Sequence, residues 1–241
     1  MIIDIDGIEI ELTRKRIRTM RLTIKPPLGE AQVSAPLRTS MAEIRSFLAS
    51  RTSWIRKHRE RMLGEEPEPV REYREGEPQL VWGRQVALAL EEIPGRAQVR
   101  LEGDRLLLRC KPDSTIEARG VLIARWYRRQ IEAAVPPLAA EWEALLGVRA
   151  SAYSYWQMKT RWGSCNARTA VIRLNIDLAR KPIASLEYVL VHELVHLLEA
   201  SHGPRFKALM DRFMPDWRSR RKDLNRKAKA APEDSSNISL A

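Results

Sequence analysis

His192-Glu193-Leu194-Val195-His196 puts two imidazoles and a carboxylate into five residues. On a helix of 3.6 residues per turn, positions i and i+4 lie on one face, one turn apart. Both histidines can therefore reach one zinc ion, at about 2.0–2.1 Å each. Glu193 sits roughly 100° further round the helix, beside the metal rather than opposite its ligands. That placement suits a base acting on a metal-bound water. The chain has only four histidines, and His192, His196 and His202 fall within eleven residues.

A catalytic zinc usually takes three protein ligands and keeps one position open. His202 is the first candidate for the third ligand. It is followed by Gly203 and Pro204, which can end one helix and start the next, bringing His202 back from a new direction. Glu199, three residues past His196, is the rival. It could instead hydrogen-bond a ligating imidazole. With three ligands in place, zinc lowers the pKa of its water towards 7. Glu193 would take the water's proton and pass it to the leaving nitrogen.

Those groups need a scaffold. Leu186, Val189, Leu190, Leu194, Val195, Leu197 and Leu198 surround the motif, predicting a buried helix from Pro182 to about Ala200. A second helix is expected from Pro204, with Phe206, Leu209, Met210 and Phe213 as its stripe. Pro215 ends it, and Asp216 can cap a last basic helix. Upstream, residues 114–146 read as a helix with Ile116, Val121, Ile123, Trp126, Tyr127 and Ile131 on its core face, interrupted or kinked at Pro136 and Pro137. Segments 148–157 and 170–175 read as strands. In "RWGSCN" at 161–166, Gly163 and Asn166 predict a turn between strands, with Trp162 and Cys165 packed inward. Alternatively, the strand before it borders the cleft and pairs with an extended peptide. Lys159, Arg161 and Arg173 could then hold a carboxylate or a phosphate. Cys165 as an inhibitory fourth zinc ligand is the weaker reading of that thiol.

The N-terminal part alternates apolar and polar residues. Ile3 and Ile5, then Ile8, Ile10 and Leu12, flank Gly7 as a hairpin, and residues 20–26 continue the pattern. Ser40 and Glu43 form a capping box for a helix to about 63, with Ile44, Phe47, Leu48, Ile55 and Met62 at helical spacing. Residues 64–78 are acidic and rich in Pro and Gly, which predicts a linker. Strands follow at 80–92 and a hairpin at 98–109 turning at Gly103. The last residues, 231–241, read as a frayed tail. No internal repeat is visible.

Of 241 residues, 44% are hydrophobic and 30% charged, which fits a soluble globular protein. No apolar run is long enough for a membrane span, and the first residues do not form a signal peptide. Two cysteines are too few for a disulfide framework and suit reduced thiols in the cytoplasm. The net charge of +11 is concentrated at 14–18, 56–61 and 218–229. Such a surface could attract nucleic acid, although no helix-turn-helix, zinc-finger or RNA-recognition pattern accompanies it.

"RWGSCN" at 161–166, "IRLN" at 172–175, "YVLVHELVHLLEASHGPRF" at 188–206 and "PDW" at 215–217, in that order, resemble the YgjP-like metallopeptidase domain, related to the SprT-like proteases. "WIRKH" at 54–58 is a looser likeness. The resemblance implies zinc ligands His192, His196 and His202, with Glu193 as catalytic acid/base. It implies an α+β, minimal zincin-like domain, its H-E-x-x-H helix packed on a small twisted sheet, preceded by a β-rich N-terminal region. Lys207 departs from the tryptophan that the family often carries there.

The expected organisation is a β-rich region with one helix at 1–112, a metallohydrolase core at 113–230 and a tail at 231–241. The leading functional expectation is a cytoplasmic zinc metallopeptidase acting on peptide or protein. A nucleoside triphosphate (UTP) pyrophosphatase on the same site is the second enzymatic reading, consistent with divided assignments in the resembled family. A DNA-associated protein or protease is the third, and an intact Glu193 argues against a merely structural zinc.

Overall fold

The computed structural model describes residues 1–25, 29–63 and 71–226. The frayed tail expected at 231–241 and the linker residues 64–70 lie outside the described residues. The chain forms two compact units, dividing between Arg71 and Glu72.

In the first unit, strands β1 (Ile2–Ile5), β2 (Ile8–Lys15), β3 (Arg21–Lys25) and β4 (Glu30–Pro36) form one sheet in the order β1-β2-β4-β3. Asp6 and Gly7 both have positive φ, 52° and 77°, the two-residue turn whose twist suits a hairpin. Strand β4 was not anticipated, because its inward residues Ala31, Val33 and Ala35 include two alanines, which are poor strand formers. Helix α1 (Met41–Ala49) begins with the predicted capping box, in which Ser40 and Glu43 satisfy each other's backbone N–H groups. The single helix expected to about 63 is in fact two. Ser50 donates its hydroxyl to the Phe47 carbonyl at 2.9 Å, and α2 (Thr52–Leu63) restarts beyond it. Ile44, Leu48 and Ile55 share one core with the inward faces of β1, β2 and β4. The side chain of Met62 lies outside the described residues.

The second unit opens with strands β5 (Pro78–Val81), β6 (Arg84–Glu92), β7 (Gln98–Glu102) and β8 (Arg105–Cys110), ordered β5-β6-β8-β7. The strands expected at 80–92 are β5 and β6, a hairpin turning at Trp82 and Gly83 with φ of 49° and 81°. Its topology reproduces that of the first sheet. In each, two antiparallel hairpins join through a parallel pair of their second strands, β2 with β4 and β6 with β8. The repeat invisible in the sequence is therefore present in the fold.

Helix α3 (Ile116–Leu146) is capped by the Thr115 hydroxyl and closed by Gly147 in the left-handed region. It buries Ile123, Trp126, Tyr127 and Ile131 as predicted, then Val135, Ala139, Trp142 and Leu146. Ile116 and Val121, expected on that face, are 42% and 49% exposed. The helix runs through Pro136 and Pro137. A three-stranded sheet follows, made of β9 (Ala152–Trp156), β10 (Gly163–Asn166) and β11 (Val171–Asn175) in the order β10-β11-β9. A 3₁₀ turn at Ile176–Arg180 leads to α4 (Ile183–Val195), α5 (Pro204–Phe213) and α6 (Trp217–Leu224).

Residues of β5–β8, α3, β11 and α4–α6 contribute to one hydrophobic core. The boundary expected at residue 112 therefore falls inside a unit: Leu106, Leu108 and Cys110 pack with Ile123 and Tyr127 beyond it. The chain is mixed α and β, as expected. No described helix is long and apolar enough to cross a membrane.

Candidate metal centre

Helix α4 carries His192 in its last turn and is apolar on most sides. It ends at Val195, five residues earlier than the sequence suggests. His196 still keeps helical dihedrals (φ −65°, ψ −16°), so the one-turn spacing to His192 survives. The chain then tightens, with the N–H groups of Leu197 and Leu198 bonding the carbonyls of Leu194 and Val195 at 3.0 and 2.9 Å. Gly203 and Pro204 open α5 as anticipated.

This reversal brings His202 back onto the α4 histidines. Its Nε2 lies 3.0 Å from Nε2 of His192 and 3.2 Å from Nε2 of His196. Phe206, 2% exposed, sits against all three imidazoles, with ring centroids 4.7–4.9 Å away. Sequence patterning placed Phe206 in the α5 stripe without revealing this contact.

Nδ1 of His196 faces the Glu199 carbonyl at 3.0 Å. That nitrogen carries the proton, leaving the Nε2 lone pair pointing at the other rings. The Glu199 carboxylate is turned away and accepts from the backbone and hydroxyl of Ser201 at 3.1 and 2.8 Å. Glu199 thus supports a candidate ligand through its main chain rather than joining the cluster. Nδ1 of His192 is buried with no partner, so the polar contact of that ring runs through Nε2 at the centre.

Burial, then the neighbouring His196 and His202, pushes His192 down to about 3. Burial also lowers His196. Neutral imidazole is the ligating form. The donor set fits a cation. With a bare Nε2 on His196, one proton on His202 can satisfy only one of its two close N···N contacts. A positive ion at the meeting point would replace repelling lone pairs with coordination. Among the described residues, these three are the group able to hold a metal. Cys165 is outside it, and burial with the nearby Glu193 charge pushes its thiol up to about 11, away from the thiolate a metal needs.

Glu193 is 6% exposed and follows His192 on α4. Burial raises its carboxyl to about 7, with Arg161 pulling the other way. Strand β10 packs close against it. A Cβ built on Gly163 would stand 2.6 Å from Oε1 and 2.8 Å from Cγ of Glu193, so only glycine lets the strand back onto this carboxylate. This corrects the reading of Gly163 as a turn residue: "GSCN" is itself a strand paired with β11. The turn begins at Asn166, whose side chain accepts from the N–H groups of Arg168 and Thr169.

Loop 157–162, which carries Lys159 and Arg161, is held by Asn175. That side chain, 3% exposed, donates to the carbonyls of Met158 and Arg161 at 2.8 and 2.9 Å and accepts from the Met158 N–H. The last residue of "IRLN" is therefore the clamp of this loop, a role that no local pattern announced. Arg161 acts electrostatically on Glu193. Lys159 and Arg173 make no hydrogen bond or ion pair with the histidines or Glu193 among the described residues.

The family signature of the YgjP-like, metallopeptidase domain matches residues 18–227. No curated protein gives a significant match. Among solved structures, the crystal structure of the metallopeptidase zymogen of Methanocaldococcus jannaschii jannalysin is 20% identical, covering 37% of this chain and 85% of that one, with a TM-score of 0.34. That likeness is too low to carry a structural argument. The match to the family spans most of the sequence and contains both the histidine cluster and the β10 strand that backs it; this chain belongs to the YgjP-like metallopeptidase domain family.

Proposed function

We propose that the protein is a zinc-dependent peptidase, with His192, His196 and His202 as metal ligands and Glu193 as general base. The observation that carries this reading is the meeting of three Nε2 atoms, separated by 3.0 and 3.2 Å about His202, beside a buried carboxylate. Three neutral imidazoles suit zinc with one open position. When bound, the metal supplies Lewis acidity for polarising a carbonyl and activating water. The chain's own residues do the rest. Glu193 accepts the proton of the attacking water and returns it to the departing amine nitrogen. Gly163 lets strand β10 close on the carboxylate. Glu199 fixes the His196 tautomer through its carbonyl. Strand β10 pairs with β11 on one side, and its other edge is where an extended peptide would add as a strand.

The test compares the zinc-loaded protein with Glu193→Gln on casein and on a panel of nucleoside triphosphates, with bound metal quantified. Casein cleavage that falls about 10²–10⁴-fold in the variant, at unchanged zinc content, supports the peptidase. Glu193-dependent release of pyrophosphate without proteolysis would instead support the nucleotide reading, with Arg161 as an anion contact. Failure to bind stoichiometric metal would sink the site.

A further inference from the structure

We propose a second site on the protein, a cleft between residues 96–99 and α3 that binds consecutive phosphate groups through Arg96, Arg125 and Arg129. The cleft is open to solvent, has a volume of about 720 Å³ and is lined by these three arginines, with Gln98, Val99 and Leu122 among the remaining residues. No carboxylate lines it. Its volume is in the range of small-molecule sites, and Val99 and Leu122 give it an apolar wall.

What marks the three arginines is that they have no partner among the described residues, in a region where every other arginine has one. Between residues 78 and 146, Arg84 donates to the Gly103 carbonyl. Arg100 pairs with Glu102, Arg105 with Glu75 at 3.3 Å and Arg109 with Glu91 at 2.7 Å. On α3, Arg119 donates to Ser114 at 2.9 Å and Arg128 pairs with Glu132 at 2.8 Å. Arg96, Arg125 and Arg129 make no hydrogen bond or ion pair among the described residues, and they line the same cleft. Arg125 and Arg129 are one helical turn apart, a spacing at which like charges repel. An anion relieves that repulsion.

Guanidinium groups recognise phosphate through parallel N–H donors. Three of them, one from the turn before β7 and two from α3, suit phosphates in series rather than a lone carboxylate. A polyphosphate and a nucleic-acid backbone both present that chemistry. This site is independent of the peptidase reading, since it uses none of the residues around the histidines.

The full-length protein would be titrated with inorganic tripolyphosphate by calorimetry and with a labelled twelve-residue oligodeoxythymidylate by anisotropy. The cleft variant Arg125→Gln/Arg129→Gln would be compared with Arg100→Gln/Arg128→Gln, which removes the same charge from paired positions on β7 and α3. Saturable binding of either probe, weakened at least about tenfold in the cleft variant and much less in the control, supports the site. The salt dependence should also fall by roughly one unit of slope per lost arginine. If tripolyphosphate alone binds, the source is a small polyphosphate; if the oligonucleotide binds and tripolyphosphate does not, it is a backbone. Absence of binding by both probes, or equal losses in the two variants, would overturn the proposal. Metal content and casein cleavage, measured on the same variants, keep this outcome separate from that of the metal centre.

Discussion

Gly163 on β10 and Glu193 on α4 are in contact: a Cβ at Gly163 would lie 2.6 Å from the Glu193 carboxylate and 2.8 Å from Val189. An alanine there must displace the carboxylate or open the β10–α4 packing. Overpacking of this kind costs about 1–3 kcal/mol. A shift of about 1 Å in a reacting group can cost about 10²-fold in rate. Gly163→Ala should therefore lose activity on the order of 10²-fold while keeping zinc, because the atoms an added Cβ would meet first belong to Glu193 and Val189 and not to a histidine. Peptidase assays with metal analysis and thermal melts check this. Full activity in the variant would show that Glu193 does not depend on this contact.

Glu199 should behave differently from the third histidine. The Glu199 carboxylate is spent on Ser201, while its carbonyl holds His196. Glu199→Gln retains that carbonyl and should bind zinc within a few-fold of the parent. His202→Ala removes the nitrogen on which the other two converge. Its zinc affinity should fall by more than the 10–100-fold typical of losing a supporting partner. Competition with a chromogenic chelator measures both. The reverse order would make Glu199 the ligand.

The site was more legible in the sequence than the frame around it. His192, Glu193 and His196 are placed by the period of one helix, a local property that spacing reveals. His202 was legible because Gly203 and Pro204 announce a reversal. The end of α4 was not, since Leu197 and Leu198 continue the apolar pattern while their N–H groups already bond three residues back. Gly163 packs on Glu193 from thirty residues away, and Asn175 clamps a loop on the far side of a strand; neither is encoded in a period. The repeated sheet topology was hidden because alternation is shared by any exposed sheet. The feature common to both first hairpins, a glycine at the second turn position, is short and widespread.

Arg180 offers a test of the frame that carries the metal helix. It is 7% exposed and leads into α4. Its guanidinium donates to Asp177 at 3.0 Å, Gln79 at 3.3 Å and the Tyr127 hydroxyl at 3.2 Å, and lies over the Tyr127 ring. Those contacts tie the 3₁₀ turn to β5 and α3. Arg180→Met keeps much of the volume and strands the partners. Hydrogen bonds to charged groups are worth about 1.5–3 kcal/mol, so the variant should be less stable by roughly 2–3 kcal/mol in urea unfolding. An unchanged midpoint would mean that the network contributes nothing net.

The buried carboxylate makes a prediction about the metal-free protein. Glu193 titrates near 7 in the fold against 4.5 for the free group, because burial disfavours its charge. A raised folded pKa contributes stability that is complete below 4.5 and is lost as the pH rises through 7. Taking about 1.4 kcal/mol per unit, the loss amounts to roughly 3 kcal/mol by pH 8. His192 acts in the opposite sense, since its pKa is lowered to about 3. Its contribution is present above 6.5 and lost as the pH falls towards 3. That term is common to parent and variant and drops out of their difference. Chelator-treated Glu193→Gln should therefore be more stable than the parent at pH 8 by up to about 3 kcal/mol, with the gap closing near pH 4.5. Urea denaturation at both pH values measures it. A gap that stays constant with pH would mean that Glu193 keeps an ordinary carboxylate pKa in the fold, and that the burial seen beside Gly163 does not hold in solution.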